Sequence, residues 1–459
     1  MDRTAEKFVS YTFDVSYADL TPGAVHAAKR CVVDALGCAI GSFHEAPLKA
    51  IRNLACGINA RDPATIIGTR IRTSPELAAF TNGSMIRYGD FSDDYFGLSG
   101  DSGPHPSDNI GGILAAAESA GENGKALILG IAVAYEACGQ IADSCSLAAR
   151  GWDYAMYHAL ATALGAGKVL GLSRGQLRNA LGLALVPNIG LLQTRMGELS
   201  NWKGCAGPNG SRNGLFAAML AREGLTGPDE PFEGQAGFKK QLGQSFELGD
   251  FGGGAIPYKV EGTAFKYLPI NYSGQLPTGT ALELRKRVKH KDIESICVYL
   301  VTRYAVTRAD KPHLWDPQTR ETADHSLPYQ IGAALIDGEI THHTFTPERF
   351  RDPAILALVQ KVRLEPDAAY TAVFPKTFNC RFEVKLKSGE LVTLHRTNPK
   401  GHPANPMSDD EINEKFLSQI KGLIPKKRAR ALLDLVWNLE QVNDLKELFT
   451  LTRIPAKSA

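Results

Sequence analysis

Side chains that could transfer protons are concentrated in one short segment, residues 88–109, which reads YGDFSDDYFGLSGDSGPHPSDN. Asp90, Asp93 and Asp94 stand at positions i, i+3 and i+4, so they would share one face of a helical turn and repel one another. Such clusters are usually solvated or cap a helix. His105 follows in the same segment, and histidine is the side chain best suited to exchange protons near neutral pH. The composition alone therefore allows either a solvated loop or an active site.

The residues around His105 predict how its side chain would be positioned. Ser107 and Asp108 are both candidate N-caps for the helix that follows. Gly97, Gly100 and Gly103 would let the preceding loop fold tightly. The histidine would then project from the start of a helix.

Helical segments rich in Ala, Leu and Gly make up most of the first half of the chain. One of them, TPGAVHAAKRCVVDALGCAIG, has Pro at its start, apolar residues at helical spacing and Gly at its end, which predicts a capped amphipathic helix. After about Gly262 the pattern changes. The segment DIESICVYLVTRYAV is typical of a strand, and NCRFEVKLKSGELVTLHR alternates on either side of KSGE, which predicts a hairpin. Helical segments lie between these strands.

Helical character returns after a linker rich in Pro and Gly, where Ser408 and Glu411 form a capping box. We expect these last helices to rejoin the first domain. The sequence thus predicts a mainly α fold, with residues 1–262 and 401–459 in a large helical domain and residues 263–400 in an α+β domain.

Composition excludes several classes of protein. The 459 residues include 51 Lys+Arg against 49 Asp+Glu, and the basic residues are scattered, which argues against nucleic-acid binding. No apolar run approaches the ~18 residues of a membrane span, and the first residues lack a signal or transit pattern, so we expect a cytoplasmic protein. The eight cysteines contain no C-x-x-C pair, which favours reduced, mostly buried thiols over disulfides, a zinc site or an iron–sulfur cluster.

Several longer motifs, in order from about residue 80 to about residue 420, resemble one known family. They are HPSDNIGGILA, NWKGCAGPNGSRNGLFAAMLAREGLTGP, FKYLPINYSGQ, WDPQTRETADHSLPYQIGAALIDGEI and PKGHPANPMSDDEINEKF. Together they identify the chain as a member of the MmgE/PrpD family, which includes 2-methylcitrate dehydratase, cis-aconitate decarboxylase and iminodisuccinate epimerase. The resemblance implies a helical domain with an inserted α+β lid domain, an active site in the cleft, a homodimer, and no metal or organic cofactor.

The resemblance also implies roles for individual residues. Asp90 matches the first aspartate of a D-F-x-D-D run, His105 the histidine of the His-Pro-Ser step, and Lys203 and Lys266 the lysines of NWKG and FKYLP. These four are the predicted catalytic residues. The predicted substrate-binding residues are Tyr95, Asp153, Tyr154, Arg212, Tyr304 and His325. The register of Tyr304 could slip by one residue. His325, together with Asp324, serves either the site or the packing of the lid helix.

Two departures from the decarboxylases favour dehydration. The decarboxylases carry a second histidine in a segment like G-F-H-P. This chain reads GWDYAMY there, so Asp153 stands in place of that histidine. The ending HPSDN resembles the dehydratases, whereas the decarboxylases continue HPSG. Tyr95 stands at a position where the similar motif of the decarboxylases has a Thr, so the resemblance implies that this wall of the pocket differs. The remaining aspartates of the segment are expected to cap helices or lie in loops: Asp93, Asp94, Asp101 and Asp108.

A methylcitrate-like substrate carries three carboxylates and a tertiary hydroxyl. Such an anion requires several cations in a partly desolvated cleft, for which Lys203, Lys266 and Arg212 are candidates. Dehydration then needs a base beside a carboxylate and an acid for the departing hydroxyl. We expect His105 to transfer protons and Asp90 to orient it or share protons with it, and which residue is base and which is acid stays open. Candidates for handling the hydroxyl are Tyr95, Asp153 and Tyr154.

The leading hypothesis is therefore a cofactor-independent 2-methylcitrate dehydratase, with citrate as a poorer substrate. Alternatives within the family are a cis-aconitate decarboxylase and an epimerase acting on an iminodicarboxylate. An alternative from another class is an inactive dimeric protein that binds carboxylates. The intact aspartate, histidine and two lysines argue against this last alternative.

Overall fold

A computed structural model describes residues 2–97 and 103–455 and divides the chain into two compact units. The first unit contains Met1–Thr194, Gly204–Thr263 and Ser408–Ala459, and the second contains Arg195–Lys203 and Ala264–Met407. The division differs from the expected one in the short segment Arg195–Lys203 and in residues 401–407, which belong to the second unit, and in Thr263, which belongs to the first. Residues 98–102 of the opening segment, among them Gly100 and Asp101, lie outside the described residues.

The first unit is built almost entirely from helices, as the Ala- and Leu-rich segments predict. Up to Thr263 its helices are α1 (Arg3–Asp14), α2 (Pro22–Gly41), α3 (Ala46–Ala55), α4 (Pro75–Tyr88), α5 (Ile110–Ala120), α6 (Gly124–Ser144), α7 (Ala155–Val169), α8 (Arg174–Leu185), α9 (Ala206–Arg222) and α10 (Phe238–Leu242). A two-residue ladder joins β1 (Ala64–Thr65) and β2 (Arg72–Thr73).

Local signals explain where these helices begin and how closely they pack. Thr21 caps α2 by accepting a hydrogen bond from the Ala24 amide, and Pro occupies the first turn, as predicted. Small side chains from α7, α8 and α9 meet in the core of the unit: Ala163, Ala184 and Ala217. Among the described helices, α6 alone is long and apolar enough to cross a membrane, but it is mostly buried inside the unit, as core helices of soluble proteins are.

The second unit combines helices with a four-stranded sheet. Its helices are α11 (Tyr272–Leu284), α12 (Arg320–Ala323), α13 (Leu327–Asp337), α14 (Pro347–Phe350), α15 (Pro353–Val359) and α16 (Ala368–Val373). Its strands are β3 (Ile293–Leu300), β4 (Val362–Pro366), β5 (Asn379–Leu386) and β6 (Leu391–Thr397), in the order β4-β3-β5-β6. The pair β3 and β4 is parallel and the other pairs are antiparallel. The predicted hairpin is confirmed as β5 and β6, with Lys385 opposite Leu391 at its tip.

The chain returns to the first unit through α17 (Asp409–Gln419), α18 (Lys426–Trp437) and α19 (Lys446–Thr452). The predicted capping box at the start of α17 is confirmed, because Ser408 accepts a hydrogen bond from the Glu411 amide and Glu411 accepts one from the Ser408 amide. The cysteines are free thiols, and all but Cys56 and Cys297 are buried. The prediction that the cysteines are mostly buried is therefore confirmed.

Candidate active site

The aspartate cluster of the first unit lies in a loop and not on a helical turn. α4 ends at Tyr88, and Asp90 adopts a left-handed backbone conformation with φ of 49°, which breaks the helical spacing. The shared face that Asp90, Asp93 and Asp94 would have on a helical turn is therefore not formed. Each carboxylate instead contacts a different group.

Asp90 forms a buried ion pair with Arg87, a residue of the last turn of α4. Both side chains are almost fully buried, and the pair fixes the sharp turn in which the Asp90 amide donates to the Arg87 carbonyl at 3.1 Å. Arg87 was not among the predicted site residues. Its spacing of three residues before Asp90 at a predicted helix end is the signal that could have found it.

Hydrogen bonds assign the tautomer of His105. A guanidinium has only donors, so Arg87 Nη2, 2.8 Å from His105 Nε2, donates to that nitrogen. The proton of a neutral imidazole then sits on Nδ1, which donates to the carbonyl oxygen of Asp93 at 2.6 Å, with Asp94 Oδ2 at 3.5 Å. His105 is thus a buried neutral imidazole whose basic nitrogen faces a cation.

Arg87 keeps its charge in spite of its burial. Burial by itself disfavours the guanidinium, but the attraction of Asp90, Tyr154 and Asp108 outweighs it and holds the pKa of Arg87 well above its ordinary value. The Tyr154 hydroxyl hydrogen-bonds to Arg87, and its ring meets His105 edge to face at a centroid distance of 5.7 Å. Tyr154, which the resemblance placed in the site, therefore belongs to the same group.

Asp93 holds the start of the turn that carries His105. Its carboxylate accepts hydrogen bonds from the Ser107 amide at 3.0 Å and from the Tyr135 hydroxyl at 2.7 Å. Burial raises the pKa of Asp93 to about 6, although both hydrogen bonds favour the ionised form. The same residue fixes His105 through its carbonyl and the adjacent turn through its carboxylate.

The predicted N-caps are wrong, because the cap comes from a distant residue. The short turn Pro106–Asn109 has His105 at its N-cap position without a side-chain cap, and Asn109 precedes α5 without one. Asp93 supplies the hydrogen bond that Ser107 or Asp108 was expected to make. The Asp108 carboxylate instead lies 3.5 Å from His158 Nε2 on α7.

Two glycines let the loop pack against its neighbours. A Cβ at Gly103 would collide with the Tyr95 carbonyl, and one at Gly97 would collide with the Ala142 carbonyl on α6. The predicted tight folding at these two positions is confirmed. Glycine is needed there because another backbone segment approaches closely, and not because the glycine has a left-handed conformation.

Three other predicted residues of the first unit make different contacts. The Tyr95 hydroxyl donates to Asp143 Oδ2 at 3.0 Å, and Lys259 Nζ donates to the same oxygen at 2.8 Å. Asp153 is buried and accepts from the Ala155 amide at 2.9 Å, at the start of α7. Arg212, half-buried on α9, contacts Asn213 through Nε at 3.2 Å. Hydrogen bonding at a helix start accounts for the conformation of Asp153 without any ligand.

In the second unit, the segment carrying Lys203 is fixed against α12. The Leu199 amide donates to the Thr322 hydroxyl at 3.0 Å, and the Asn201 amide group donates to Glu321 at 2.6 Å. These bonds give the physical reason why residues 195–203 belong to this unit. Lys203, in the turn Asn201–Gly204, is buried.

Lys203 belongs to a charged group around Asp324. The Asp324 carboxylate contacts His325 Nδ1 and Arg320 Nη1. Burial disfavours its ionised form, yet the charges of Lys203, His325 and Arg320 hold the pKa of Asp324 below its ordinary value. A carboxylate and an imidazole can both bind metals, but the two neighbouring cations would repel a metal ion here. The group is better suited to an anionic ligand.

Lys266 and Tyr304 also belong to the second unit. Lys266 is fully buried, next to Phe265, whose amide donates to the Gly401 carbonyl at 2.9 Å. A buried lysine requires a compensating anion or hydrogen bonds. Tyr304 lies in the turn Thr302–Tyr304, edge to face with Phe374 at 5.7 Å, and the Arg303 guanidinium is 5.7 Å from the centre of each ring.

Comparisons with known proteins agree along most of the chain. The sequence model of the MmgE/PrpD N-terminal domain matches residues 6–249, and that of the MmgE/PrpD C-terminal domain matches residues 269–441. The chain is 27% identical to a 2-methylcitrate dehydratase of Salmonella typhimurium, with 98% of each chain covered. It is 29% identical to a 2-methylcitrate dehydratase of Escherichia coli, again with 98% of each covered. It is 26% identical to the cis-aconitate decarboxylase of Homo sapiens, over 98% of this chain and 95% of that one.

Proposed function

The chain belongs to the MmgE/PrpD family, and from this premise we propose that it is a carbon–oxygen lyase that dehydrates 2-methylcitrate, and more slowly citrate, without a cofactor. The observation that carries the proposal is the buried group in which Arg87 contacts both His105 and Asp90. This group offers a neutral imidazole, a tyrosine hydroxyl and a cation to a substrate that must lose a proton and a hydroxyl.

Substrate carboxylates would be bound by the buried cations. In the second unit, Lys203 and Lys266 are buried and are the predicted partners, because each desolvated substrate charge needs an opposite charge. In the first unit, Arg87 is also a buried cation that can bind a carboxylate. A carboxylate accepts from a guanidinium more strongly than a neutral imidazole does. We infer that a bound carboxylate draws Arg87 away from His105 Nε2.

Release from Arg87 makes His105 the base of this mechanism. Nε2 then takes the proton from the carbon next to a substrate carboxylate, and that electron pair forms the double bond as the carbon–oxygen bond breaks. Tyr154 is the proposed acid: its hydroxyl proton is donated to the leaving hydroxyl group, which departs as water. The adjacent Arg87 cation stabilises the phenolate that remains. Asp90 stays paired with Arg87 throughout. A proton passed from His105 to Tyr154 restores both groups.

A second candidate function is decarboxylation of cis-aconitate. It is favoured by the relative of that name, which is as similar to this chain as the dehydratases are. Against it, Asp153 stands where the decarboxylases resemble a histidine and is held at the start of α7. Epimerisation and binding without catalysis remain alternatives. The homodimer and the cytoplasmic location also stay predictions, to be tested by light scattering and cell fractionation.

A substrate panel separates these functions. Purified protein is incubated with 2-methylcitrate, citrate, cis-aconitate and iminodisuccinate, while ultraviolet absorbance of the new double bond, carbon dioxide release and optical rotation are followed. Dehydration of 2-methylcitrate supports the proposal. Carbon dioxide from cis-aconitate without dehydration of 2-methylcitrate overturns it in favour of the decarboxylase, and a change in optical rotation alone favours the epimerase.

A further inference from the structure

A buried lysine from the C-terminal part of the chain contacts the loop that carries the aspartates. Lys415 lies on α17 and is 6% exposed. Its Nζ donates to the Phe91 carbonyl at 2.6 Å, pairs with Asp34 on α2 at 2.5 Å and lies 4.1 Å from the centre of the Phe91 ring. The Asp34 side chain is also buried. One ammonium group thus connects α17, α2 and the loop.

The contacted peptide lies between the residues that organise His105. Asp90, which pairs with Arg87, directly precedes Phe91. Asp93, whose carbonyl accepts from His105 Nδ1, follows two residues later. A shift of the Phe91 carbonyl would therefore move both the partner of Arg87 and the acceptor of His105. The positions of these groups are coupled by only a few backbone bonds.

We propose that Lys415 is a positioning residue for the reaction, which acts by fixing the Phe91 carbonyl and thereby the contacts of His105. This inference rests on the proposed function. Its physical basis is that a buried ammonium must keep its anion and its acceptor, so Asp34 and the Phe91 carbonyl hold it in one place and it in turn holds the loop. Small displacements of reacting groups reduce turnover strongly, up to about 100-fold for about 1 Å.

Lys29 provides a matched control. It also connects α2 to the C-terminal part of the chain, donating to the Trp437 carbonyl at 2.9 Å and pairing with Glu440 at 3.1 Å. Its chemistry repeats that of Lys415, with a backbone acceptor and a carboxylate, but its partners belong to α18 and the turn after it. Lys29→Met therefore measures the loss of such a pair outside the aspartate loop.

The test compares four variants with the wild type: Lys415→Met, Lys415→Arg, the double variant Asp34→Asn/Lys415→Met, and Lys29→Met. The double variant removes both charges of the buried pair, so it disturbs the fold less than Lys415→Met, which removes only the cation. We expect kcat on 2-methylcitrate to fall about 10- to 100-fold in the folded double variant with KM little changed, partial rescue by arginine, and no such fall in Lys29→Met.

A second readout does not depend on the reaction. Histidine ¹⁵N spectra, with the His105 signals identified by their loss in His105→Asn, report the Nδ1–H tautomer, and we expect these signals to move in the double variant and not in Lys29→Met. A folded double variant with unchanged kcat and unchanged His105 signals overturns the inference. If the wild type does not dehydrate 2-methylcitrate, the proposed function fails, while the spectra still decide whether Lys415 positions His105.

Discussion

Replacement of Asp93 by asparagine should change how stability depends on pH. The carboxyl is fully buried, and burial raises its pKa from an ordinary 3.8 to about 6 in the folded protein. The fold therefore binds the proton more tightly than the unfolded chain does. Stability is then highest when Asp93 is protonated and falls as pH rises through the interval between the two pKa values. The asparagine side chain does not titrate, so the variant lacks this loss.

The size of the effect follows from the pKa difference. About two pKa units at 1.36 kcal/mol each give a total loss of about 3 kcal/mol relative to the variant, of which about half falls between about pH 5 and pH 7.5. The aspartate and the asparagine side chain can both accept a hydrogen bond from the Ser107 amide, and the asparagine amide group can donate one to the Tyr135 hydroxyl. The comparison therefore isolates ionisation better than alanine would.

Urea denaturation followed by tryptophan fluorescence, repeated across that pH range, measures the difference in free energy of unfolding between the two proteins. The exposed Asp410→Asn controls for the loss of one carboxylate. We expect wild type to lose about half of that 3 kcal/mol relative to Asp93→Asn from about pH 5 to pH 7.5. A constant difference would refute the raised pKa, and a wild type that gains stability relative to the variant as pH rises would show a lowered one.

Further predictions concern the charged groups. Arg87→Met removes the guanidinium that pairs with the buried Asp90 carboxylate, so the free energy of unfolding should fall by about 3 kcal/mol in urea titrations, and an unchanged value would contradict the buried pair. Lys203→Met removes a charge-assisted bond to the substrate, so steady-state kinetics should show KM for 2-methylcitrate raised about 10- to 100-fold; a loss of kcat alone would argue against a binding role. Dialysis against EDTA should leave turnover unchanged, whereas loss of activity restored by one equivalent of a metal would contradict a cofactor-free reaction.

Local signals predicted the elements well. The Thr21 cap, the capping box of Ser408 and Glu411, and the hairpin of β5 and β6 each depend on residues within a few positions of one another, and all three are confirmed. Capping and strand alternation are decided by nearby backbone geometry, so the sequence contains them directly.

The arrangement of the site depends on contacts that no local pattern encodes. Arg87 reaches His105 across 18 positions, and Lys415 reaches Phe91 across 324. The turn at Asp90 interrupts the helical spacing on which the shared-face prediction depended. Sequence motifs identified which residue types belong together, and only tertiary packing decides which of their atoms meet.

The initial rate of double-bond formation from 2-methylcitrate, measured by ultraviolet absorbance for wild type and His105→Asn under the same conditions, decides whether His105 is the base of a dehydratase. We predict dehydration by wild type and a rate at least about 100-fold lower in the folded variant, because the base is lost. Equal rates in the two proteins, or no double bond from 2-methylcitrate with either, would contradict this mechanism.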